Sequence, residues 1–359
     1  MKKIKYLFAA ALAMFSMNAY SQGCMEGGSS GDLIGVTGFI QPQFNYYING
    51  KDANGQSLNK NEFTFNRARL GVVGSIPYDI DYYFAVEYSG FSNSENKVHL
   101  LDGYVSYTRF AKWAKITVGQ FKSPFSLEQN TACSGLYTVN RSEVVSQLAG
   151  PQRDLGLVIS GGHDSLKFSY SVGLMNGSGM NNHDDNNNKN IVGRIVAGPF
   201  KGLKIGGSFK AGGINPTDPT EKLNNIYRFA AEAQFSWKSL LIQGEYIYGQ
   251  DKLFSASRIP IYGGCGGIIG YETKQPGTYH KDGAWIIASY KTKFNIEPVL
   301  KFDTWNSDKD SRFSRVNTYT IGVNYYINDY TRLQINYANL KESREILNDM
   351  VMVQIQAKF

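Results

Sequence analysis

The chain is short of the residue types and motifs that mark most enzymes, metal proteins and secreted scaffolds. Three cysteines in 359 residues, Cys24, Cys133 and Cys265, are too few for a disulfide framework and are not spaced as metal ligands. Four histidines, at 99, 163, 183 and 280, fall in loops or near segment ends, and no GxSxG accompanies them, so a serine hydrolase finds no support. His183-Asp184-Asp185 lacks the glycine and final glutamate of a calcium loop. "GGCGGIIG" (263-270) lacks the spacing of a phosphate cradle. There is no basic run of five residues, which argues against nucleic acid as a partner. No 40-50 residue repeat suggests a propeller, and no helical pattern alternates with strands, which argues against a parallel α/β enzyme. The sequence therefore implies neither a cofactor nor a metal.

Only the first residues carry a long apolar run. Met1 to Lys5 is basic, Tyr6 to Met17 is apolar, and Ala19-Tyr20-Ser21 supplies small residues for cleavage, so residues 1-21 read as a secretion signal. A membrane helix needs about 20 apolar residues, and this run is shorter. The expected mature chain, 22-359, forms a single domain. It keeps 34 of the 37 Lys+Arg against 30 Asp+Glu, a mild excess of +4. Cys24 sits near the mature start, but Ser21-Gln22-Gly23 is a poor approach to an acylated cysteine. Cys133 and Cys265 fall in long loops, either as a disulfide or as two free thiols.

What the chain has in quantity is aromatics and glycine: 24 Tyr, 21 Phe and 38 Gly beside ten Pro. Its overall hydropathy is polar, which excludes a bundle of membrane helices but not a transmembrane β-barrel, where only every second residue faces lipid. Sixteen segments of period two run from 33-48 to 348-359, with 152-161 and 190-198 the least regular. Connections after even-numbered segments are short, as at Lys238 or Asn295. Those after odd-numbered ones are long and mostly polar, as at 49-61, 176-190, 212-225 and 251-279. This alternation predicts an all-β, 16-stranded antiparallel transmembrane barrel with short periplasmic turns and long outer loops. The third outer connection, 122-151, carries apolar pieces of its own and is expected to fold inward as a constriction loop.

Alternation also assigns faces. Tyr227, Phe229, Ala231, Ala233, Phe235 and Trp237 share an outer face, leaving Arg228 and Glu232 inside. Arg67 and Arg69 point together into the lumen, about 7 Å apart, and as like charges they need an outside anion or a nearby acid. Other inward cations are Lys115, Lys204, Lys210, Lys291 and Lys301, with Lys122, Arg141 and Arg153 on or beside the constriction loop. Inward acids are Glu87, Asp102, Glu232, Glu245, Glu297 and Asp303. In "MVMVQIQAKF" (350-359), Val351, Val353, Ile355, Ala357 and Phe359 form a lipid face, with Gln354, Gln356 and Lys358 opposite.

"EFTFNRARLGVVGSIPYDIDYYFAVEYS" (62-89), "GYVSYTRF" (103-110), "ITVGQFKSPFSLE" (116-128), "NRSEVV" (140-145) and "RDLGLVISG" (153-161) together resemble the phosphate-selective porin O and P family of outer-membrane porins. The resemblance implies a trimeric 16-stranded barrel in a Gram-negative outer membrane, an inward third loop and a basic pore interior. Arg67 and Arg69 match the family's arginine-rich second strand, Lys122 its GQFKxPF motif, Arg141 the arginine of the constriction loop, and Arg153 the arginine entering the next strand. The expected function is passive diffusion of small hydrophilic solutes, with preference for phosphate or other small anions. The alternatives are a non-selective or sugar or peptide porin, and a barrel with an enzymatic or surface-binding role. The expected pore residues are Arg67, Arg69, Lys115, Lys122, Arg141, Arg153, Arg228 and Lys301, with Glu87, Asp102, Glu232 and Asp303 as counter-charges. Between Lys122 and Pro151 only Arg141 is added to Lys122, fewer cations than phosphate-specific members carry, which favours mild over specific selectivity. Expected partners are small solutes, outer-membrane lipid, the barrel assembly machinery through the terminal Phe359, and two further copies of the chain.

Overall fold

Alternate residues along a strand point to opposite faces, so period two in this chain produces a sheet with one apolar and one polar side. The computed structural model describes residues 34–51, 54–88, 98–110, 113–163, 167–218, 220–262, 268–343 and 346–359. The expected leader, Cys24 and Cys265 lie outside these residues. The barrel strands are β1 (Ile34–Ile48), β2 (Lys60–Ile76), β3 (Ile80–Tyr88), β4 (Val98–Phe110), β5 (Ala114–Lys122), β6 (Arg153–His163), β7 (Phe168–Met175), β8 (Asn190–Phe200), β9 (Leu203–Ile214), β10 (Asn224–Trp237) and β11 (Leu240–Leu253). After a hairpin made of β12 (Ser257–Tyr262) and β13 (Ile268–Lys274), the barrel resumes with β14 (Gly277–Tyr290), β15 (Ile296–Asn306), β16 (Arg315–Tyr326), β17 (Thr331–Glu342) and β18 (Asp349–Lys358). Sixteen strands, each antiparallel to its neighbours, close on themselves when β1 pairs with β18. Every expected segment falls on a barrel strand, within three residues at either end.

The lipid-facing side has the composition of a protein core turned outward. Phe229, Phe235 and Trp237 are exposed on β10 while Arg228 and Glu232 are buried on its inner face. Short turns keep the strands in register: Trp237 pairs with Leu240 across two residues, and Lys238 takes a positive φ of 53° to match the twist of the hairpin. At the seam, Gly38 and Phe359 exchange two backbone hydrogen bonds of 3.0 Å.

Residues 251-279 depart from the expected single polar loop. β11 continues to Leu253, and β12 and β13 pair with each other rather than with the barrel. The reason is local alternation that a polar average conceals: Ile259 and Tyr262 are buried against the constriction loop, not against lipid. Gln147 donates to the Tyr262 carbonyl at 2.8 Å and accepts from its N–H at 3.3 Å.

The constriction loop folds inward, as expected, and contains two short helices, Leu127–Asn130 and Glu143–Leu148. It leaves the wall at β5, returns at β6, and fastens half the ring away. Ser126 Oγ and the Leu127 N–H donate to Glu245 on β11, at 2.8 and 3.0 Å. Lys301 on β15 meets Glu128 at 2.7 Å. Asn324 on β16 donates to the Tyr137 carbonyl at 3.0 Å, and Asn336 on β17 accepts from Val139 N–H at 2.7 Å. Gln356 on β18 donates to the Ser134 carbonyl at 3.3 Å. Beneath these contacts, Phe125, Val144, Val145 and Leu148 are buried against Ile247, Trp285, Ile287 and Val299 of the wall. Each such side chain contributes about 1.5–3 kcal/mol on burial, against about 1 kcal/mol net for a hydrogen bond. Apolar packing holds the loop inward, and the polar contacts set where it sits.

Candidate functional site

Inward-facing cations collect where the constriction loop meets β2 and β5. Arg67 is 1% exposed and donates from Nη1 to Gln41 at 2.9 Å. Arg69 pairs with Glu87 across the β2–β3 ladder and donates from Nη1 to Cys133 Sγ at 3.0 Å. Arg141 reaches the same sulfur through Nη2 at 3.4 Å and donates to the Glu128 and Thr131 carbonyls at 3.2 and 3.0 Å. Lys122 Nζ donates to the Thr131 carbonyl at 3.2 Å. Arg153 grips Asp102 with two parallel bonds of 3.0 and 3.1 Å, the fork geometry that fits a guanidinium to a carboxylate. Five of the eight expected pore residues are therefore neighbours in one patch.

Of the two partners open to Arg67 and Arg69, an outside anion or a nearby acid, these contacts supply the acid for Arg69. Glu87 and Cys133 serve Arg69, and Gln41 serves Arg67. Cys133 was not among the expected site residues. Burial alone would push its thiol up, yet Arg141, Arg69, Arg67 and Lys122 together hold it well below the ordinary thiol range. Cys133 is a buried cysteine whose sulfur accepts from both Arg69 and Arg141, which favours its thiolate within the cluster.

The remaining expected residues lie elsewhere. Lys301 forms the Glu128 contact that fastens the loop. Arg228 sits in the outer half of the lumen, where it and Lys281 share Asp251 at 2.6 and 2.7 Å. Lys115 lies seven residues before Lys122 on β5, opposite Ser160 and about 23 Å away along the strand, so it is remote from the constriction. Glu87 pairs with Arg69, and Asp102 with Arg153. Glu232 is held by two bonds from Arg194 at 3.0 and 2.5 Å. Arg194 was missed because its segment alternates poorly, which left its face unassigned. Asp303 is 5% exposed on β15, two residues beyond Lys301. Glu128 ends the "ITVGQFKSPFSLE" stretch (116-128), but loop residues have no periodicity from which a partner could be read.

A belt of fully buried amides completes the inner wall. Gln354 donates to Gln334 at 3.0 Å, Gln334 to Asn324 at 2.9 Å, and Gln41 to Gln356 at 2.8 Å. Arg332 joins the belt by donating from Nη2 to Gln356 at 3.1 Å.

The sequence pattern of the phosphate-selective porin O and P family matches residues 35–209 and 203–359. No curated protein sequence matches the chain. Among solved structures, an anion-selective porin from Comamonas acidovorans superposes with a TM-score of 0.66 at 13% identity, covering 91% of this chain and 99% of that one. The outer membrane channel DcaP of Acinetobacter baumannii gives 0.64 at 14% identity, covering 91% and 97%. OmpT, an outer membrane protein of Vibrio cholerae described in a trimer form, gives 0.61 at 9% identity, covering 91% and 99%. At these identities the structural likeness shows the fold, and the family pattern, which spans nearly the whole chain, shows the rest: the chain belongs to the phosphate-selective porin O and P family and is a porin of a Gram-negative outer membrane.

Proposed function

We propose that the pore conducts small hydrophilic solutes by passive diffusion and prefers anions, and that three copies assemble as a trimer. One observation carries the preference. In the patch at the constriction, the five cations Arg67, Arg69, Lys122, Arg141 and Arg153 gather with the carboxylates of Glu87 and Asp102 and the Cys133 thiol, all of them buried. Charges in a narrow, low-dielectric passage focus the field and raise the local concentration of the opposite ion. Bidentate arginine contacts suit a carboxylate or phosphate, and exchange between neighbouring donors allows release. The anion-selective porin from Comamonas acidovorans and the trimer form of V. cholerae OmpT agree with this reading.

A second reading, weak or no selectivity, also has an observation behind it. Among the described residues, ten buried Lys and Arg stand against ten buried Asp and Glu. Acids dominate the opposite side, with Glu245, Glu297 and Asp303. Preference would then come from position rather than total charge. Reversal potential in a tenfold KCl gradient, wild type against Arg67→Ala/Arg69→Ala, separates the two. Anion preference that drops in the variant supports the first reading. Equal cation and anion permeability in the wild type retires it.

We further propose that residues 1-21 are removed on export, that 22-359 is one barrel domain set in outer-membrane lipid, and that the terminal Phe359 is read by the barrel assembly machinery. The exposed terminal ring beside β1 supports the last point.

A further inference from the structure

The β12–β13 hairpin does more than cover the constriction loop. Between it, the end of that loop and the outer connections around 177-190 and 213-215 lies a cavity of about 440 Å³. That volume falls within the range of small-molecule sites, roughly 300–1,000 Å³. Tyr262, Tyr271 and Trp305 line it beside Ile259 and Pro260, giving apolar and ring surfaces uncommon in a polar vestibule.

Charge is also asymmetric there. Arg228, Lys281 and Arg258 line the cavity, and so does Asp185. Arg228 and Lys281 share the one carboxylate of Asp251, and Asp185 accepts from Ser178 and Asn186 at 2.9 Å each. Three cations against two carboxylates leave one positive charge. Arg258 carries it: its guanidinium lies 4.6 Å from the centre of the Tyr271 ring and has no carboxylate partner among the described residues. An arginine stacked on an aromatic face stays charged and keeps its in-plane donors for a second ligand.

We infer that this cavity is a binding site for monocarboxylates carrying an aromatic ring, with Arg258 holding the carboxylate and Tyr262, Tyr271 and Trp305 flanking the ring. Ring and charge are recognised together. Acetate satisfies only the guanidinium, and an uncharged aromatic only the side walls. The site stands at the outer mouth, above the constriction patch. It rests on the pore reading for one of its two readouts and not for the other.

The test uses the full-length porin with benzoate, acetate and benzyl alcohol as probes. In detergent, tryptophan fluorescence is followed on titration. In bilayers, current interruptions are counted with each probe added first to one side and then to the other. Benzoate should bind at least tenfold tighter than acetate or benzyl alcohol and interrupt the current more from the long-loop side. Arg258→Gln and Tyr271→Ala should each weaken benzoate at least fivefold while leaving KCl conductance and heat-modifiable migration unchanged. Benzoate no tighter than acetate, or equal benzoate affinity in both variants, overturns the inference. Saturable fluorescence without channel activity would retire the pore reading and keep the site. Channel activity without benzoate discrimination would do the reverse.

Discussion

Replacing Lys301 by methionine isolates the contact that sets the constriction loop against the far wall. Lys301 and Glu128 are 2.7 Å apart, with side chains 2% and 5% exposed. Glu128 also accepts from the Ser142 N–H at 2.8 Å, which ties together the two ends of the loop's inner segment. Methionine conserves much of the side-chain length but leaves the Glu128 carboxylate buried beside a neutral neighbour. Removing one partner of such a pair costs about 3–5 kcal/mol, and each 1.4 kcal/mol is a factor of ten in a population. The loop-released state should therefore rise from about a hundredfold to a few thousandfold relative to the seated one. The barrel itself should persist, because its ladders are untouched and Phe125, Val144 and Leu148 still favour an inward loop. Single-channel recording should show frequent transitions to a higher conductance, and limited proteolysis should cut within 123–152 faster than in wild type. Glu128→Gln added to Lys301→Met removes the uncompensated charge and should restore most of the quiet trace. Unchanged noise and cleavage in Lys301→Met, or no recovery in the double variant, would refute the idea that this pair positions the loop.

Cys133 gives a pH-dependent expectation. Its pKa is held down by the arginines, so the thiolate persists above that pKa and is protonated as pH falls through it, adding one net positive charge to the patch. Anion preference from reversal potentials should rise on acidification by a step that Cys133→Ser abolishes, the variant being more anion-preferring than wild type at neutral pH. Equal profiles for both proteins would count against it. Gly150→Ala would place a Cβ 2.4 Å from ring carbons of Tyr262, which is only 9% exposed. The hairpin should then be displaced and cleaved faster between 257 and 274, with heat-modifiable migration preserved; wild-type protease resistance would show the ring to be free to move. Deleting Phe359 removes the two bonds to Gly38 and the terminal ring, and should lower the folded fraction in outer membranes severalfold, measured by heat-modifiability, while the molecules that do fold keep wild-type conductance.

Barrel, strand positions and inner faces were legible because each depends on period two, which a single sequence displays directly. Arg67, Glu87 and Arg228 could be placed inside without any structure. Which inward charges meet each other could not be read. Glu128 comes to Lys301 from 173 positions away, and Cys133 meets Arg69 from 64 positions away, through a loop whose path is fixed by packing rather than by periodicity. The hairpin at 257–274 was hidden for a similar reason. Its alternation serves an aqueous vestibule, so polar and glycine residues dilute it below the level of a lipid-facing strand.

The constriction loop draws its partners from Gln41 near the start of the first strand and from Gln356 three residues before the end of the chain. It is synthesised in the first half of the protein and cannot be seated until the second half is in place. Closing the cylinder and finishing the aperture therefore share a strand: a chain that stalls before β18 lacks both the sealed wall and the Gln356 contact to the loop.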